Sequence, residues 1–275
     1  MAKRFRLITL LGIRPDLIRM FKLIKLLDRG QAEHGYEHLF MHTGQHFDHE
    51  LDGVFYRELG IRKPDYSFDI GKTLKERGGP TSHAYQTALL FERMEEMLKK
   101  YQPDAVMYLG DTNSVTSSFI AARAKVPVIH LEAGGRSFDW RMPEEKCRIL
   151  IDHMSDLLYA YMPRHRENLL REGVSPDRVV VIGNIIYDAV EQFLPKADKT
   201  GTLKELGLRP KSYCAVTLHR EENTDYKTAL TEKIDGLVKL SKKLPIVWPV
   251  MPRVDKNLQK WKLWPRIKRS RIQTI

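Results

Sequence analysis

Short β-rich runs alternate with longer helical stretches along most of this chain, and that alternation restricts the fold more than any other feature. Residues 5–11, 38–43, 105–110, 126–132, 157–161 and 178–183 read as strands. Residues 17–27, 51–60, 81–100, 114–124, 144–154 and 164–172 read as helices. Within 81–100, Ala84, Leu89, Leu90, Met94 and Leu98 are among the apolar positions of a strongly amphipathic helix. Strands that alternate with helices of this length imply βαβ units and a parallel sheet with helices on both faces. A polar stretch at 196–204 precedes a second series: strand 213–219, helix 228–240, strand 246–251. The expectation is α/β, with two doubly wound parallel-sheet domains over 1–165 and 183–275 and a hinge near 162–185. A length of 275 residues agrees with about two domains.

Charge looks at first like a nucleic-acid signature. The net charge is +11, from 46 basic and 35 acidic side chains. Residues 256–275, however, hold Lys256, Lys260, Lys262, Arg266, Lys268, Arg269 and Arg271 and no acid, which leaves only +4 for the first 255. A basic stripe can bind phosphate backbones, and a solvated helix face carries the same charges. Nucleic acid therefore ranks last among the partners considered. The apolar runs are strand-length, far short of the roughly 20 residues of a membrane helix. The N-terminus is basic and then apolar, but Arg6 and Thr9 interrupt it and Arg14-Pro15-Asp16 stands where a cleavage site belongs, so no signal peptide is expected. Two cysteines, Cys147 and Cys214, make neither a disulfide framework nor a Cys-rich zinc site, and a reducing, cytoplasmic setting follows as the expectation.

In open parallel sheets, ligands bind at the carboxyl ends of the strands. Those ends carry Gly12-Ile13-Arg14-Pro15-Asp16, Thr43-Gly44-Gln45-His46, Gly110-Asp111-Thr112-Asn113, His130-Leu131-Glu132-Ala133-Gly134-Gly135-Arg136 and, in the second series, Thr217-Leu218-His219-Arg220. One polar strand end is turn chemistry; five favour a ligand cleft. Arg14, Arg136, Arg148 and Arg220 suit an oxyanion, because guanidinium binds phosphate or carboxylate bidentately. Asp111, Glu132 and Glu144 suit acid/base work, and so does the imidazole of His219. The implied chemistry is proton transfer on a substrate with an anionic leaving group. Each residue also has a structural reading. Glu144 and Glu145 follow Pro143 and complement a helix N-terminus, Asp111 fits a strand-end turn, and His219 fits a satisfied core histidine.

Other signals fail. Gly71-Lys72-Thr73 resembles the end of a phosphate loop, but Tyr66 stands where its first glycine belongs. No Gly-x-Gly-x-x-Gly occurs, so a nicotinamide cofactor is unsupported. His42, His46 and His49 with Asp48 and Glu50 lack recognised zinc spacing.

Taken together, the strand ends resemble those of the non-hydrolysing UDP-N-acetylglucosamine 2-epimerase family. The matches are Gly12-Ile13-Arg14-Pro15-Asp16, Thr43-Gly44-Gln45-His46, Gly110-Asp111-Thr112, His130 to Gly134 with Arg136, Pro143-Glu144-Glu145 with Arg148, Gly183-Asn184, and Thr217 to Arg220. Order and spacing agree over residues 5 to about 253. The resemblance implies a GT-B-like fold of two Rossmann-like domains, and a cytoplasmic homodimer acting on a UDP-sugar for polysaccharide synthesis. It implies inversion at C2 by elimination of UDP to a 2-acetamidoglucal and re-addition on the opposite face. Asp111, Glu132 and Glu144 become the acid/base carboxylates, His219 lies at the diphosphate side, and Arg14 and Arg19 contact the phosphates. Gln45, His46, Arg136, Arg148, Asn184 and Arg220 complete the substrate-binding set, with an allosteric nucleotide-sugar site near Gln45 and His46 left open. No metal or redox cofactor is implied. Departures are Ile13 and Asp16 for Thr and Glu, Cys147 for Asn, and Met251 for His or Asn. An Asp-Ser-Gly-Gly-x-x-Glu-Glu segment, which holds the diphosphate in the family, does not occur in the 275 residues. The second domain is therefore expected to be incomplete and catalysis weak or absent, with a truncated, inactive or binding-only relative as the alternative.

Overall fold

The structure, a computed structural model, describes residues 4–44, 49–76 and 83–275, without the side chains of 49–52. Two compact units divide the chain, residues 1–194 and 195–275. The first contains β1 (Arg6–Leu11), α1 (Arg14–His34), β2 (Glu37–His42), α2 (His49–Leu59), β3 (Tyr66–Ser67), α3 (Ile70–Glu76), α4 (His83–Tyr101), β4 (Ala105–Leu109), α5 (Ser118–Arg123), β5 (Val128–Ala133), α6 (Pro143–Met154), β6 (Leu157–Ala160), α7 (Pro163–Arg171), β7 (Val179–Val181) and most of α8 (Ile186–Ala197). Among the described residues its strands form one parallel sheet of seven, in the order β3-β2-β1-β4-β5-β6-β7.

Both faces of that sheet are covered, and the strand period decides which residue goes where. Successive side chains in a strand point to opposite faces. Ile8, Leu10, Val106 and Tyr108 join one core with Leu89, Leu90, Met94 and Leu98 of α4. Leu7, Leu11, Ala105, Met107 and Leu109 join the other with Leu17, Met20, Phe21 and Ile24 of α1. Burial on both faces is why these strands read as continuous apolar runs. From β1 the chain builds outward to β2 and β3, then returns to place β4 on the other side of β1. The strand order reverses between β1 and β4, where a crevice opens at their carboxyl ends.

The second unit holds α9 (Thr202–Glu205), β8 (Cys214–Ala215), α10 (Glu221–Thr224), α11 (Lys227–Ser241), β9 (Ile246–Trp248), α12 (Pro252–Lys260), α13 (Trp264–Lys268) and β10 (Ile272–Thr274). Its described strands form a parallel sheet in the order β10-β9-β8. Leu230 and Ile234 of α11, Val254 and Leu258 of α12, and Ile267 of α13 pack with Ile246 and Trp248 into its core.

Two expectations need correction. The division falls after Leu194, later than a second domain starting at 183, because β7 pairs with β6 and Ala189 and Phe193 of α8 pack into the first unit's core. The strand expected over 213–219 is two residues long; Val216 still donates to the Val247 carbonyl at 2.9 Å, but the segment then turns toward α10. The basic C-terminal stretch, expected to be a solvated helix face, is folded as two helices and a strand paired with β9. Its seven basic side chains lie on exposed positions while Leu258, Leu263, Ile267 and Ile272 point inward. Among the described residues, no helix is long and apolar enough to cross a membrane.

Candidate active site

The carboxyl ends of β1, β4 and β5 converge in the first unit. Gly12 lets them close up: a Cβ there would meet Thr112 Oγ1 at 2.5 Å and Ser114 Oγ at 2.8 Å. Behind Gly12, Asp16 is fully buried in the first turn of α1. Its Oδ2 accepts the N–H groups of Gly12 and Ile13, each at 3.0 Å, which ties the strand end to the helix start. Its Oδ1 accepts from Arg19 at 2.6 Å.

Arg19 in turn donates to Glu132 at the end of β5. Glu132 sits at a register shift between β5 and β6 and takes a left-handed backbone, φ 75°. A non-glycine residue in that region costs free energy, and such strain clusters at functional sites. Burial, the largest effect, raises the Glu132 pKa; Arg19 opposes it and Asp111 adds to it. Asp111, just past β4, is paired with Arg148 of α6 at 2.5 Å. Gly110, Asp111, Glu132, Gly135, Arg136, Ser137, Arg148 and His165 line one cavity of about 240 Å³. Two carboxylates from neighbouring strands thus share a cavity, each with its own guanidinium.

A second layer fixes this arrangement, and most of it comes from α6. Glu145, Arg148 and Asp152 are spaced i, i+3, i+7 and share one helix face. Glu145 accepts the N–H of Phe138 at 2.9 Å, the N–H and hydroxyl of Ser137, each at 3.0 Å, and Arg148 at 2.7 Å. Burial would raise its pKa, but these donors overcome that and hold it at about 2. Asp152 is fully buried and accepts from His130 at 2.6 Å, from Gly134 N at 3.1 Å and from Arg136 at 2.7 Å. His130 also faces the Gly110 carbonyl at 2.9 Å. Both ring nitrogens thus lie within hydrogen-bond distance of an oxygen. Despite complete burial, His130 and Arg136 keep the Asp152 pKa below its usual value.

The structure places the other expected residues as follows. Arg136 has a side chain only 1% exposed; it grips Glu172 bidentately at 2.8 and 2.6 Å as well as Asp152, so it braces the site rather than presenting a free fork to a phosphate. Arg19 likewise turns to Asp16 and Glu132. An unpaired guanidinium beside carboxylates in a half-buried site is satisfied by the nearest acid. Glu144 is exposed on the first turn of α6, where it and Asp111 both help raise the pKa of half-buried Cys147, after burial itself. Arg14 opens α1 and is half-buried. Asn184 accepts the Ile186 N–H at 3.0 Å and starts α8. In the second unit, His219 is exposed with its Nδ1 3.3 Å from Thr217 Oγ1, and Arg220 is the N-cap of α10. Gln45 and His46 lie outside the described residues, as do His46 and Asp48 of the metal-like cluster, and the side chains of His49 and Glu50 with them.

Two residues were missed by the sequence reading. Tyr161 and His165 follow β6, a strand end that the same rule should have included. The Tyr161 hydroxyl is buried without a hydrogen-bond partner among the described residues. Burial and the neighbouring Glu132 push its pKa up.

With this geometry in hand, comparison with known proteins is specific. The family model described as UDP-N-acetylglucosamine 2-epimerase matches residues 28–274. A Methanococcus maripaludis protein named UDP-N-acetylglucosamine 2-epimerase homolog is 36% identical over 266 residues, covering 96% of this chain and 70% of that protein. A Pseudomonas aeruginosa protein named UDP-2,3-diacetamido-2,3-dideoxy-D-glucuronate 2-epimerase is 34% identical over 253 residues, covering 90% of this chain and 67% of its own length. Among solved structures, the Methanocaldococcus jannaschii UDP-GlcNAc 2-epimerase in complex with UDP-GlcNAc and UDP is similar with a TM-score of 0.84 at 33% identity, covering 98% of this chain and 73% of that one. The two Rossmann-like units are of the GT-B-like class that this likeness carries. The family model spans nine-tenths of the sequence and the relatives exceed 30% identity, so the chain belongs to the UDP-N-acetylglucosamine 2-epimerase family.

Proposed function

We propose that the chain is an isomerase that inverts C2 of a UDP-N-acetylhexosamine, interconverting UDP-GlcNAc and UDP-ManNAc. The observation that carries this is the pair Asp111 and Glu132, on neighbouring strand ends and in one cavity, each held by a guanidinium. Inversion needs a proton taken from one face of C2 and one delivered to the other. Two carboxylates fixed on different strands suit that task better than one.

The C2–H bond is a weak acid, so the leaving group does much of the work. UDP departs with the C1–O bonding electrons, a carboxylate takes the C2 proton, and a C1–C2 double bond remains. In the return step a carboxylate on the other face protonates C2 while the UDP oxygen adds back to C1. Nothing is consumed. The pressures on Glu132 favour a proton carrier: burial and Asp111 make it more basic, while Arg19 keeps its charged form accessible. In this reading Glu144 is the third acid/base carboxylate, and its exposed place on α6 leaves it free to meet substrate. His219 and Arg220 are the diphosphate-side candidates of this reading, and Arg14 is a phosphate-binding candidate. Arg19, Arg136 and Arg148 act as positioning residues. A cytoplasmic homodimer accompanies the reading as what the family resemblance implies, and the two free cysteines fit a reducing compartment.

The test is incubation with UDP-GlcNAc in D2O. Deuterium at C2 together with UDP-ManNAc supports the proposal. Absence of both, with UDP-2,3-diacetamido-2,3-dideoxyglucuronate also inert, would leave a binding-only protein.

A further inference from the structure

Tyr161 follows β6 directly, and the pairing around it fixes which way it faces. Leu131 of β5 stands opposite Tyr159 and Ala133 opposite Ala160, so Glu132 is the extra residue of a bulge, without a partner across β6. Ala160 accepts the Ile182 N–H at 2.9 Å, so strand pairing runs to the last residue of β6. Leu158 and Ala160 pack with Leu169 of α7, whereas Tyr159 joins the core that holds Leu17, Met20 and Phe21 of α1. By the period of two, Tyr161 also turns toward α1. Its side chain is buried there, on the side where Asp16 and Arg19 of α1 meet Glu132.

Hydrogen bonding in this cluster is incomplete at two atoms. Arg19 gives Nη1 to Glu132 and Nη2 to Asp16, while its Nε meets no partner among the described residues. The Tyr161 hydroxyl meets none either. Both atoms are shut off from solvent, and buried polar atoms are normally satisfied, so each needs a partner from the surrounding protein. Burial and then the Glu132 charge push the phenol pKa up, with Arg19 opposing and Asp16 adding. Tyr161 therefore stays protonated and carries one donor and free lone pairs. Glu132 accepts from Arg19 alone among the described residues, although a carboxylate has room for about four donors. Asp111 beyond β4, His130 of β5 and Arg148 of α6 also act on its charge. We propose that Tyr161 is a positioning residue that holds the Arg19–Glu132 pair through turnover: its hydroxyl donates to the Glu132 carboxylate while that group is ionised, and its oxygen accepts the Arg19 Nε–H once Glu132 has taken the C2 proton. The guanidinium then keeps its place when the charge of its partner is gone. The phenol proton stays on its own oxygen throughout. This rests on the reading of Glu132 as an acid/base carboxylate given above.

Carboxyl-carbon NMR titration of the full chain tests this, beside C2 deuterium exchange with UDP-GlcNAc in D2O. The Glu132 signal is identified by its loss in Glu132→Gln. Tyr161→Phe keeps the ring and removes only the hydroxyl, so it is expected to melt close to wild type. A carboxylate that loses a donor is harder to ionise, so the Glu132 midpoint is expected to rise by about half to one pH unit. The acid limb of the kcat/KM profile moves up with it, and kcat falls about tenfold while KM stays within about threefold. An unchanged Glu132 midpoint in Tyr161→Phe overturns the proposal. So does an unchanged kcat, or a rate loss with the acid limb unmoved. Where Tyr161→Phe does not fold, the ζ-carbon of wild-type Tyr161 decides: a signal that moves at the Glu132 midpoint supports the contact, and one that does not refutes it. A wild type that exchanges no deuterium defeats the epimerase reading instead, and the Glu132 midpoint, read without substrate, then decides the contact by itself.

Discussion

The strand ends of the two units are built in opposite ways. In the first, carboxylates and guanidinium groups are locked together: Asp16 and Glu132 on Arg19, Asp111 and Glu145 on Arg148, Asp152 and Glu172 on Arg136. In the second, β8 ends after two residues, and His219 and Arg220 stand exposed beyond it. The first unit has thus settled the geometry of its charges before any ligand arrives, which is what precise proton transfer at one carbon needs. The second displays its polar groups to solvent, which suits contact with a mobile, highly charged diphosphate. Substitutions should therefore cost far more in the first unit than chemically similar ones in the second.

The sharpest case is Gly134→Ala. Gly134 has φ 76°, and a Cβ there would overlap the His165 carbonyl oxygen and lie 2.8 Å from its carbon. Neither atom can give way without moving α7. The expected cost is more than about 4 kcal/mol, read by urea denaturation, or outright failure to fold. A variant that loses less than about 1 kcal/mol would show that the first unit's strand ends are soft.

Next come the charges themselves. Asp111→Asn and Glu132→Gln are each expected to slow C2 deuterium exchange by about 10²–10⁴-fold, the range for removing a general acid or base. His219→Ala removes an exposed imidazole that the proposed function assigns to the diphosphate side, and is expected to cost about 10–100-fold. A larger loss at His219 than at Glu132 would reverse the ranking of the two units.

Acid stability probes the bracing layer. The Glu145 pKa is about 2 in the fold against 4.5 as its ordinary value. A depressed carboxylate stabilises the fold fully above its unfolded pKa and loses that contribution as pH falls through the folded one. Wild type should therefore exceed Glu145→Gln by on the order of 2–3 kcal/mol above about pH 5, with the gap closing toward pH 2. Melting both proteins across that range reads it. A constant gap would mean that shape, not charge, explains the role of Glu145.

How legible all this was depended on the distance over which residues act. The continuous apolar runs and their glycine-containing ends were visible because each is a local pattern, and they located Asp111 and Glu132. Partner choice was not local. Arg136 reaches Glu172 across 36 residues, and Arg19 reaches Glu132 across 113, so guanidinium groups that looked free for phosphate were already engaged. Of the adjacent Glu144 and Glu145, helix phase turns one outward and one inward; the i, i+3, i+7 run Glu145, Arg148, Asp152 marked the inward face and went unread. In the second unit, Lys256 to Arg271 hid a strand and two helices because Leu258, Leu263, Ile267 and Ile272 are sparse among basic residues.

The smallest expected effect has the opposite sign and completes the contrast. Gly236 lies in the interior of α11, exposed, and a Cβ there would meet nothing within 4 Å. Its φ is not among the positive values. Alanine therefore adds no clash and no strain, while it removes conformational freedom from the unfolded chain. Gly236→Ala is expected to stabilise the second unit by about 0.5–1 kcal/mol. Thermal melting checks the direction, and native-state hydrogen exchange of the α11 amides checks that the gain is local. The same chemical change, one methyl group on a glycine, would then destabilise one unit by several kcal/mol and stabilise the other. Destabilisation at Gly236 would instead show that α11 is covered by something its exposed surface does not reveal, and the second unit would have to be read as tightly determined too.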